Sequence, residues 1–192
     1  MRSYIEIPGW FDEEWLYDRM IDRAPPQATF VEVGCWLGKS TAYCASRIRG
    51  CGKAIAFYAV DTWLGSPSEP AMLDAVAQAG GSVYDVFRAN MEDAGVLDAI
   101  RPMRLPSVVA ATLFANASLD FVFIDADHSQ ASVQADILAW RPKLRPGGIL
   151  AGHDWNTYGS VQQAVRAMLG ADFSVEGNCW IHQTPADGEH RA

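Results

Sequence analysis

The chain has 192 residues, of which 49% are hydrophobic and 20% charged, a composition typical of one soluble globular domain. Its 23 acidic residues outnumber its 15 basic ones, and no Lys/Arg cluster is present, so nucleic acid is not expected as a partner. No run of 18 apolar residues and no signal sequence occurs, so we expect no membrane association and a cytoplasmic location.

Residues 1–27 predict a helical cap at the N-terminus. Pro8-Gly9 turns the chain into a helix over about residues 12–23, for which Asp12 is a candidate cap. One face of this helix is apolar: Phe11, Trp15, Leu16 and Met20. The aromatic residues either pack in the core or roof a pocket, and they are compatible with a homodimer.

The central motif follows this cap. An apolar run over residues 28–33 predicts a buried strand, Gly34 and Gly38 bound a tight loop, and a helical pattern begins at Lys39. This arrangement places backbone amides and the positive end of a helix beside a pocket, as in nucleotide-binding proteins. The bulky Trp36 departs from the G-x-G-x-x-G fingerprint and argues against a pyrophosphate lying over the loop.

Two residues of the motif carry reactive groups. Glu32 lies within the strand, where a charge must be paired, so we expect it to bind the cationic amine of a ligand. The alternative is a carboxylate that bonds neighbouring backbone amides. Cys35 is predicted to pack beside the ligand rather than to act as a nucleophile, since the four scattered cysteines are typical of reduced thiols.

The second predicted strand, residues 55–60, ends in Asp61. A carboxylate at this point of a βαβ unit commonly binds the ribose hydroxyls, and Asp61 lies 27 residues after Gly34, close to the usual spacing. We therefore predict a ribose site at Asp61, with a helix cap as the alternative. Thr62 and Trp63, which follow directly, are included in the predicted cofactor site.

Residues 62–81 are irregular and long for a connection between a strand and a helix, which predicts a substrate lid. Trp63, Leu64 and Met72 are candidates to cover a substrate, and a short helix is expected over about residues 72–79. A helix over about residues 82–94 and a weaker third strand over residues 100–105 follow. Ser107 then either caps the next helix or meets an adenine edge.

Two further strand ends carry acidic and imidazole groups. The strand over residues 119–124 runs into Asp125-Ala126-Asp127-His128, and the strand over residues 149–152 runs into His153-Asp154. Since the carboxyl ends of parallel strands form the ligand crevice, these groups are expected beside the glycine loop. The alternatives are a helix cap for Asp127 and a simple turn for His153-Asp154.

The remaining pattern completes one α/β domain over residues 1–192. Helices are predicted over about residues 130–144 and 160–169, two closing strands near residues 173–175 and 179–183, and a frayed tail over residues 185–192. The predicted fold is a Rossmann-like doubly wound sheet, mostly parallel, with an antiparallel C-terminal edge strand and helices on both faces.

Over nearly its whole length the chain resembles the class I S-adenosylmethionine-dependent methyltransferases, and most closely their catechol O-methyltransferase-like and macrocin O-methyltransferase-like bacterial branch. The segments that carry the resemblance are Val31 to Gly34, Gly38 to Ser40, Asp61, Phe123 to His128 and Lys143 to Gly148. It implies methyl transfer from S-adenosylmethionine to a hydroxyl of a small molecule. The alternatives are a non-catalytic nucleoside-binding module and a metal-dependent hydrolase.

The resemblance also implies roles for particular residues. Glu32 would bind the methionine amine, Gly34 and Gly38 would let the backbone approach it, Ser40 would bind the methionine carboxylate, and Asp61 the ribose. Catechol-type enzymes hold Mg²⁺ at positions that correspond to Asp125, His153 and Asp154, of which His153 is the poorer magnesium ligand. The position of their lysine base is His128 here, which implies that His128, or else His153, takes the proton.

Overall fold

The computed structural model describes residues 2–67 and 69–186. Its strands are β1 (Thr29–Val33), β2 (Ala56–Asp61), β3 (Ile100–Arg104), β4 (Leu119–Ile124), β5 (Leu144–Gly152), β6 (Ser174–Glu176) and β7 (Cys179–Gln183). They form one sheet in the order β3-β2-β1-β4-β5-β7-β6, in which β1 to β5 pair in parallel and β7 is antiparallel to both neighbours. The predicted Rossmann-like sheet with an antiparallel C-terminal edge is confirmed.

Seven α-helices are described: α1 (Glu14–Arg23), α2 (Lys39–Gly50), α3 (Pro70–Gln78), α4 (Tyr84–Asp93), α5 (Ser107–Ala111), α6 (Gln130–Trp140) and α7 (Gly159–Leu169). The prediction that one helix runs to residue 144 is wrong, because α6 gives way to a 3-10 turn that contains Pro142, and Leu144 already belongs to β5. No helix in residues 2–67 and 69–186 is long and apolar enough to cross a bilayer.

Apolar layers cover both faces of the sheet. Alternate residues of β1 point to opposite layers: Phe30 packs with α1, α2 and α4, whereas Val31 and Val33 pack with α5, α6 and α7. Glu32 shares the face of Phe30, so its carboxylate is directed under α1 and α2 rather than to the open end of the sheet. This orientation decides its role below.

The N-terminal aromatic residues divide between core and surface. Phe11 packs against Tyr17 and Tyr43, with ring centroids 5.9 and 5.3 Å apart, whereas Trp10 is 73% exposed. The prediction that Asp12 caps α1 is wrong, because Glu13 occupies the cap position and the Asp12 carboxylate contacts His153 instead. Of the predicted C-terminal tail, residues 187–192 lie outside the described part of the chain.

Candidate active site

Two cavities of about 500 Å³ each open along the carboxyl ends of the strands. Volumes of this size enclose small ligands. The first cavity is lined by residues that follow β2, β3 and β4 and by α6, among them Asp61, Thr62, Ser107, Asp127 and Asp136. The second is lined by residues near the N-terminus and after β4 and β5, among them Trp10, Asp12, His128, His153, Asp154 and Tyr158. Both cavities share Gly34, Trp36, Met72, Asp125 and Ala126, so they meet at the glycine loop and the end of β4.

The two loop glycines are required by the packing of the chain itself. A Cβ atom on Gly34, whose φ is +88°, would overlap the backbone carbonyl of Asp125. A Cβ atom on Gly38, whose φ is +91°, would overlap the side chains of Met91 and Phe87. Gly34 lines both cavities, but Gly38 lines neither, so the prediction that Gly38 lets the backbone approach a ligand is not supported.

Asp61 fastens the glycine loop to the end of β2. One carboxylate oxygen, Oδ2, accepts hydrogen bonds from the amides of Cys35 and Trp36 at 2.8 and 2.9 Å, and Oδ1 accepts one from the amide of Trp63 at 2.7 Å. Because a carboxylate offers about four acceptor positions, one position on Oδ1 is left for a ligand in the first cavity. The predicted ribose contact therefore stays a prediction, with one hydrogen bond available rather than two.

Glu32 lies beneath the loop, not in a cavity. Only 1% of the residue is exposed, and its carboxylate accepts hydrogen bonds from the hydroxyls of Tyr17 and Thr41. Burial raises the pKa of Glu32, partly offset by the hydrogen bonds of Ser40, Thr41 and Tyr17. The structure thus corrects the prediction of an amine contact, because neither cavity wall includes this carboxylate.

The neighbouring candidates separate into lining residues and core residues. Ser40 and Cys35 line the second cavity, but burial raises the pKa of the Cys35 thiol well above its usual value, which suits a packing residue rather than a nucleophile. Trp63 is fully buried against Tyr84 and Phe87 and lines no cavity, so the prediction that it covers a substrate or touches the cofactor is wrong. Met72 of the predicted lid does line both cavities.

His128, Asp125 and Asp154 form one cluster in the second cavity. The Nε2 atom of His128 lies 2.8 Å from Asp154 Oδ2 and 4.0 Å from Asp125 Oδ1. Its Nδ1 atom is buried, has no hydrogen-bond partner among the described residues, and lies 3.8 Å from Glu69 Oε1. The ring stacks on Tyr158 with centroids 4.2 Å apart.

The charges of this cluster are coupled. Burial alone would lower the pKa of His128, but the hydrogen bond and charge of Asp154 raise it above its usual value. Burial and the charge of Asp154 raise the pKa of Asp125 to about 6, although both histidines oppose the shift. The two histidines hold the pKa of Asp154 well below its usual range despite burial. Asp154 is therefore the fixed anion that orients the cluster.

His153 belongs to a second cluster, on the N-terminal side of the cavity, which meets the first at Asp154: His153 Nδ1 lies 3.5 Å from Asp154 Oδ1. Its Nε2 atom lies 2.8 Å from Asp12 Oδ1 and 3.4 Å from Glu13 Oε2. Burial would lower the pKa of His153, yet Asp154, Asp125 and Glu13 raise it to about 10, whereas burial raises the pKa of Glu13 to about 9. The sequence predicts Asp12 only as a helix cap, and nothing in its spacing indicates a contact with His153, 141 positions away.

The predicted metal set is therefore divided. Within the described residues, the groups whose donor atoms all lie within 4.8 Å of one another are Asp125 with His128 and Asp154, and Asp12 with Glu13 and His153. The resemblance had implied Asp125, His153 and Asp154 together. The structure replaces His153 by His128 in that set, because the His153 ring turns towards the N-terminal segment.

Ser107 lines the first cavity, but its cap prediction is wrong. Pro106 is the cap residue of α5, and the Ser107 hydroxyl accepts a hydrogen bond of 2.9 Å from the indole nitrogen of Trp140. Sequence reasoning missed Asp136, a buried acidic residue of α6 that also lines this cavity. Its only sequence signal was a charge on the apolar side of a predicted helix.

The part of the chain that forms this site matches a known protein family. Residues 31–155, from β1 to the turn after β5, match the family model described as "Methyltransferase domain". The chain belongs to this family. The resemblance to the class I S-adenosylmethionine-dependent methyltransferases is thereby confirmed, and this methyltransferase has the corresponding sheet order.

Solved structures share the fold of this methyltransferase at low sequence identity. The O-methyltransferase NovP is 15% identical with a TM-score of 0.67, covering 90% of this chain and 79% of NovP. A SAM-dependent O-methyltransferase from Thermotoga maritima is 13% identical with a TM-score of 0.61, covering 95% and 68% of the two chains. An O-methyltransferase from Bacillus cereus, solved in complex with SAH, is 18% identical with a TM-score of 0.59, covering 92% and 83%.

Proposed function

We propose that the protein transfers the methyl group of S-adenosylmethionine to a hydroxyl oxygen of a small molecule. The adenosine part of the donor would lie in the first cavity, with its ribose at Asp61. Its methionine part would reach past the shared wall to Ser40 in the second cavity, which the acceptor would also enter. The shared wall at Gly34, Trp36 and Asp125 is where the sulfonium methyl and the acceptor oxygen would meet. Holding reacting atoms about 3 Å apart contributes roughly 7–11 kcal/mol to such a step.

The single observation that carries this proposal is that His128, which lines the second cavity, has a buried Nδ1 atom without a hydrogen-bond partner among the described residues. With Nε2–H donating to Asp154, Nδ1 presents a lone pair that suits a general base. The acceptor oxygen attacks the methyl carbon, the carbon–sulfur bond breaks with its electron pair going to sulfur, and the hydroxyl proton moves to His128 Nδ1. His153 is less suited to this role, because its raised pKa keeps it protonated at neutral pH.

The residues also fit a divalent cation, which the catechol-type resemblance implies. Asp125, His128 and Asp154 offer two carboxylate oxygens and one imidazole nitrogen within 4.8 Å, a donor set that suits Mn²⁺ or Fe²⁺ better than Mg²⁺. A bound cation would lower the pKa of the acceptor hydroxyl. His128 would then be a ligand, so its roles as base and as ligand exclude each other.

The test is transfer of an isotope-labelled methyl group to a library of phenols, catechols and sugars, run with added Mn²⁺ or Mg²⁺ and with chelator. We expect labelled product from at least one hydroxylated acceptor, and none from matched acceptors in which that hydroxyl is already methylated. Product formed only on amines or on RNA would overturn the proposal. Loss of turnover with chelator would show that a cation is required, and weaker Mn²⁺ binding in His128→Gln would then assign His128 as a ligand rather than the Asp12, Glu13 and His153 group. Turnover that chelator leaves unchanged would support His128 as the base.

A further inference from the structure

A further cavity lies at the opposite end of the sheet from the two described above. Its volume is about 170 Å³, and it opens beside the amino ends of β1 and β4 and the C-terminal end of α1. It shares no lining residue with the first or the second cavity. A ligand bound here would therefore be separate from both the donor and the acceptor.

The wall of this cavity is largely apolar. The apolar side chains that line it are Met20, Ala24, Pro25, Phe30, Phe121 and Ile149. Apolar cavities of about 150 Å³ are large enough to bind benzene. The space therefore suits one small ring or a short branched hydrocarbon chain.

Arg145, which also lines the cavity, has hydrogen-bonding capacity that the chain does not use. Its Nη2 atom lies 2.6 Å from Asp120 Oδ1. Its Nε atom is buried and has no hydrogen-bond partner among the described residues. Because a buried donor without a partner is costly, this atom indicates a place for an acceptor that comes from outside the chain.

Arg23 is the second arginine of the wall, and its side chain forms no hydrogen bond or ion pair with the described residues. A basic residue in the last turn of a helix commonly binds the terminal carbonyls. In α1 another residue does so, because Lys53 Nζ donates to the carbonyls of Ile21, Asp22 and Ala24 at 2.7, 2.7 and 2.8 Å. The guanidinium of Arg23 is therefore left available at the cavity.

The charges of the wall favour an anion. Asp120 is its acidic residue: Oδ1 is paired with Arg145, and Oδ2 accepts a hydrogen bond of 2.7 Å from the amide of Thr29. The charge of Arg23 is not offset in this way, so the wall keeps one positive charge in a chain whose net charge is -8. Planar guanidinium groups match the two oxygens of a carboxylate.

We propose that this cavity binds a small apolar carboxylate. The carboxylate of the ligand pairs with Arg23 and accepts a hydrogen bond from Arg145 Nε. Its hydrocarbon part packs on Phe30, Phe121 and Ile149. This site goes beyond the proposed methyl transfer and does not depend on it.

The experiment uses benzoate as the probe and follows its titration into isotope-labelled protein by NMR. We expect saturable shifts of the backbone amides of Phe121 and Ile149 and no shift at Gly34, which lines the other two cavities. Benzamide keeps the ring without the charge, and acetate keeps the charge without the ring. Each should bind at least about fivefold more weakly than benzoate.

Two variants test the arginines separately. Arg23→Gln should weaken benzoate binding at least about fivefold at unchanged thermal stability, since this side chain has no polar partner among the described residues. Arg145→Lys keeps a cation beside Asp120 but lacks Nε, and it should weaken benzoate binding to a similar extent. Arg88→Gln, which removes a cation from the exposed face of α4, is the matched control and should bind benzoate as the wild-type protein does.

Four results would overturn the inference. They are the absence of saturable shifts with benzoate, equal binding of benzamide, unchanged benzoate affinity in Arg23→Gln, and competition between benzoate and S-adenosylhomocysteine (SAH). Competition would place benzoate in the first or second cavity instead. Saturable binding of benzoate in the presence of SAH, weakened in both arginine variants, would support the separate site.

Discussion

His128 and His153 follow neighbouring strand ends, yet their surroundings assign them opposite chemistry. His128 has one nitrogen bound to Asp154 and one without a hydrogen-bond partner among the described residues, whereas His153 faces Asp12, Glu13 and Asp154. A base must release its proton before each turnover, so a histidine whose pKa is about 10 is poorly matched to neutral pH. We therefore propose His128, rather than His153, as the group that takes the proton.

The first prediction concerns this assignment. His128→Gln should lower kcat about 10²–10⁴-fold, the usual contribution of a positioned base, without changing SAH affinity more than about threefold. In the wild-type protein kcat should fall as pH drops through the pKa of His128, which the hydrogen bond and charge of Asp154 raise above its usual value, because the protonated ring cannot accept the hydroxyl proton. The measurement is a pH profile of turnover with calorimetry against SAH.

His153→Gln is the comparison variant for this prediction. It removes an imidazole from the same cavity, so it controls for general disturbance of the site. A larger loss of kcat in His153→Gln than in His128→Gln would reverse the assignment. Titration of His128→Gln with Mn²⁺ shows whether its loss of kcat comes from a missing metal ligand. Only in that case would the variant also bind Mn²⁺ more weakly than the wild-type protein.

The second prediction concerns Glu32, which supports the glycine loop from below. Glu32→Gln keeps the shape of the side chain but replaces one of the two oxygens that accept hydrogen bonds from the hydroxyls of Tyr17 and Thr41. The variant should therefore be less stable by about 1–3 kcal/mol. SAH affinity should change less than about threefold. Ser40→Ala should weaken SAH binding about tenfold, because Ser40 lines the second cavity at the place proposed for the methionine carboxylate. It should destabilise the fold less than Glu32→Gln does, because it removes only one of the three hydroxyls that hydrogen-bond Glu32.

Thermal unfolding combined with calorimetry measures both effects. A tenfold loss of SAH affinity in Glu32→Gln at wild-type stability would show that the carboxylate reaches the ligand after all. The contrast between Glu32 and Ser40 also shows which information the sequence alone does not contain. A charge in a buried strand signals a partner, but only the helices packed on that face, α1 and α2, determine which partner it is.

At the scale of elements, regular segments were predictable and their ends less so. β4 has the predicted bounds, because an apolar run between polar turns defines a buried strand unambiguously. The end of α6 was misplaced, because the apolar periodicity continues through Ala139 and Trp140 into Leu144 across a proline turn. The lid over residues 62–81 was predicted from its irregularity, but the contacts of Trp63 with α4 depend on tertiary packing.

Among the side-chain hydrogen bonds that the described residues of the predicted lid make, two reach Asp127 and Tyr158. Ser66 donates to Asp127 at 3.0 Å, and Tyr158 donates to Glu69 at 2.9 Å. Its helix α3 contributes no buried residue, which is typical of a segment that opens at low free-energy cost. Glu69 also lies 3.8 Å from His128 Nδ1, so we propose that this segment covers the base until an acceptor displaces it.

The third prediction follows from this arrangement. Tyr158→Phe removes the hydrogen bond to Glu69 but retains the ring that stacks on His128. Amide exchange in α3 should accelerate severalfold. Glu69, released from the hydroxyl, should pair more closely with His128 and raise its pKa, so the acidic limb of the kcat profile should move to higher pH.

Hydrogen exchange by mass spectrometry and a pH profile of turnover test these two effects separately. Amides of α2, which contributes five buried residues, serve as the internal reference and should not change. Faster exchange without a pH shift would mean that Glu69 moves away from His128 on release. If neither exchange nor the pH profile changed, the Tyr158–Glu69 hydrogen bond would not be what holds the lid.

At the scale of the whole molecule, a donor in the first cavity would contact segments that are distant in sequence. The cavity wall combines the loop after β1, the tip of β2, the turn after β3 and α6, which pack on different layers of the sheet. A ligand that bridges these segments binds only the folded chain. Such a ligand stabilises the native state by RT ln(1 + [L]/Kd), or about 2.7 kcal/mol when its concentration is a hundred times Kd.

The fourth prediction is therefore a thermal shift. For a chain of this size each kcal/mol raises Tm by about 2–4 °C, so SAH at a hundred times its Kd should raise Tm by about 5–10 °C. The shift should grow with the logarithm of SAH concentration and persist in chelator, because Asp125 is the one member of the Asp125, His128 and Asp154 group that lines the first cavity. In Asp61→Asn most of this Tm shift should be lost. One amide oxygen cannot replace a carboxylate that accepts hydrogen bonds from the amides of Cys35 and Trp36 and would also bind the donor. Differential scanning fluorimetry measures the Tm shift, and adenosine or homocysteine alone should produce a smaller shift than SAH. A Tm that millimolar SAH leaves unchanged would contradict donor binding and the mechanism that depends on it.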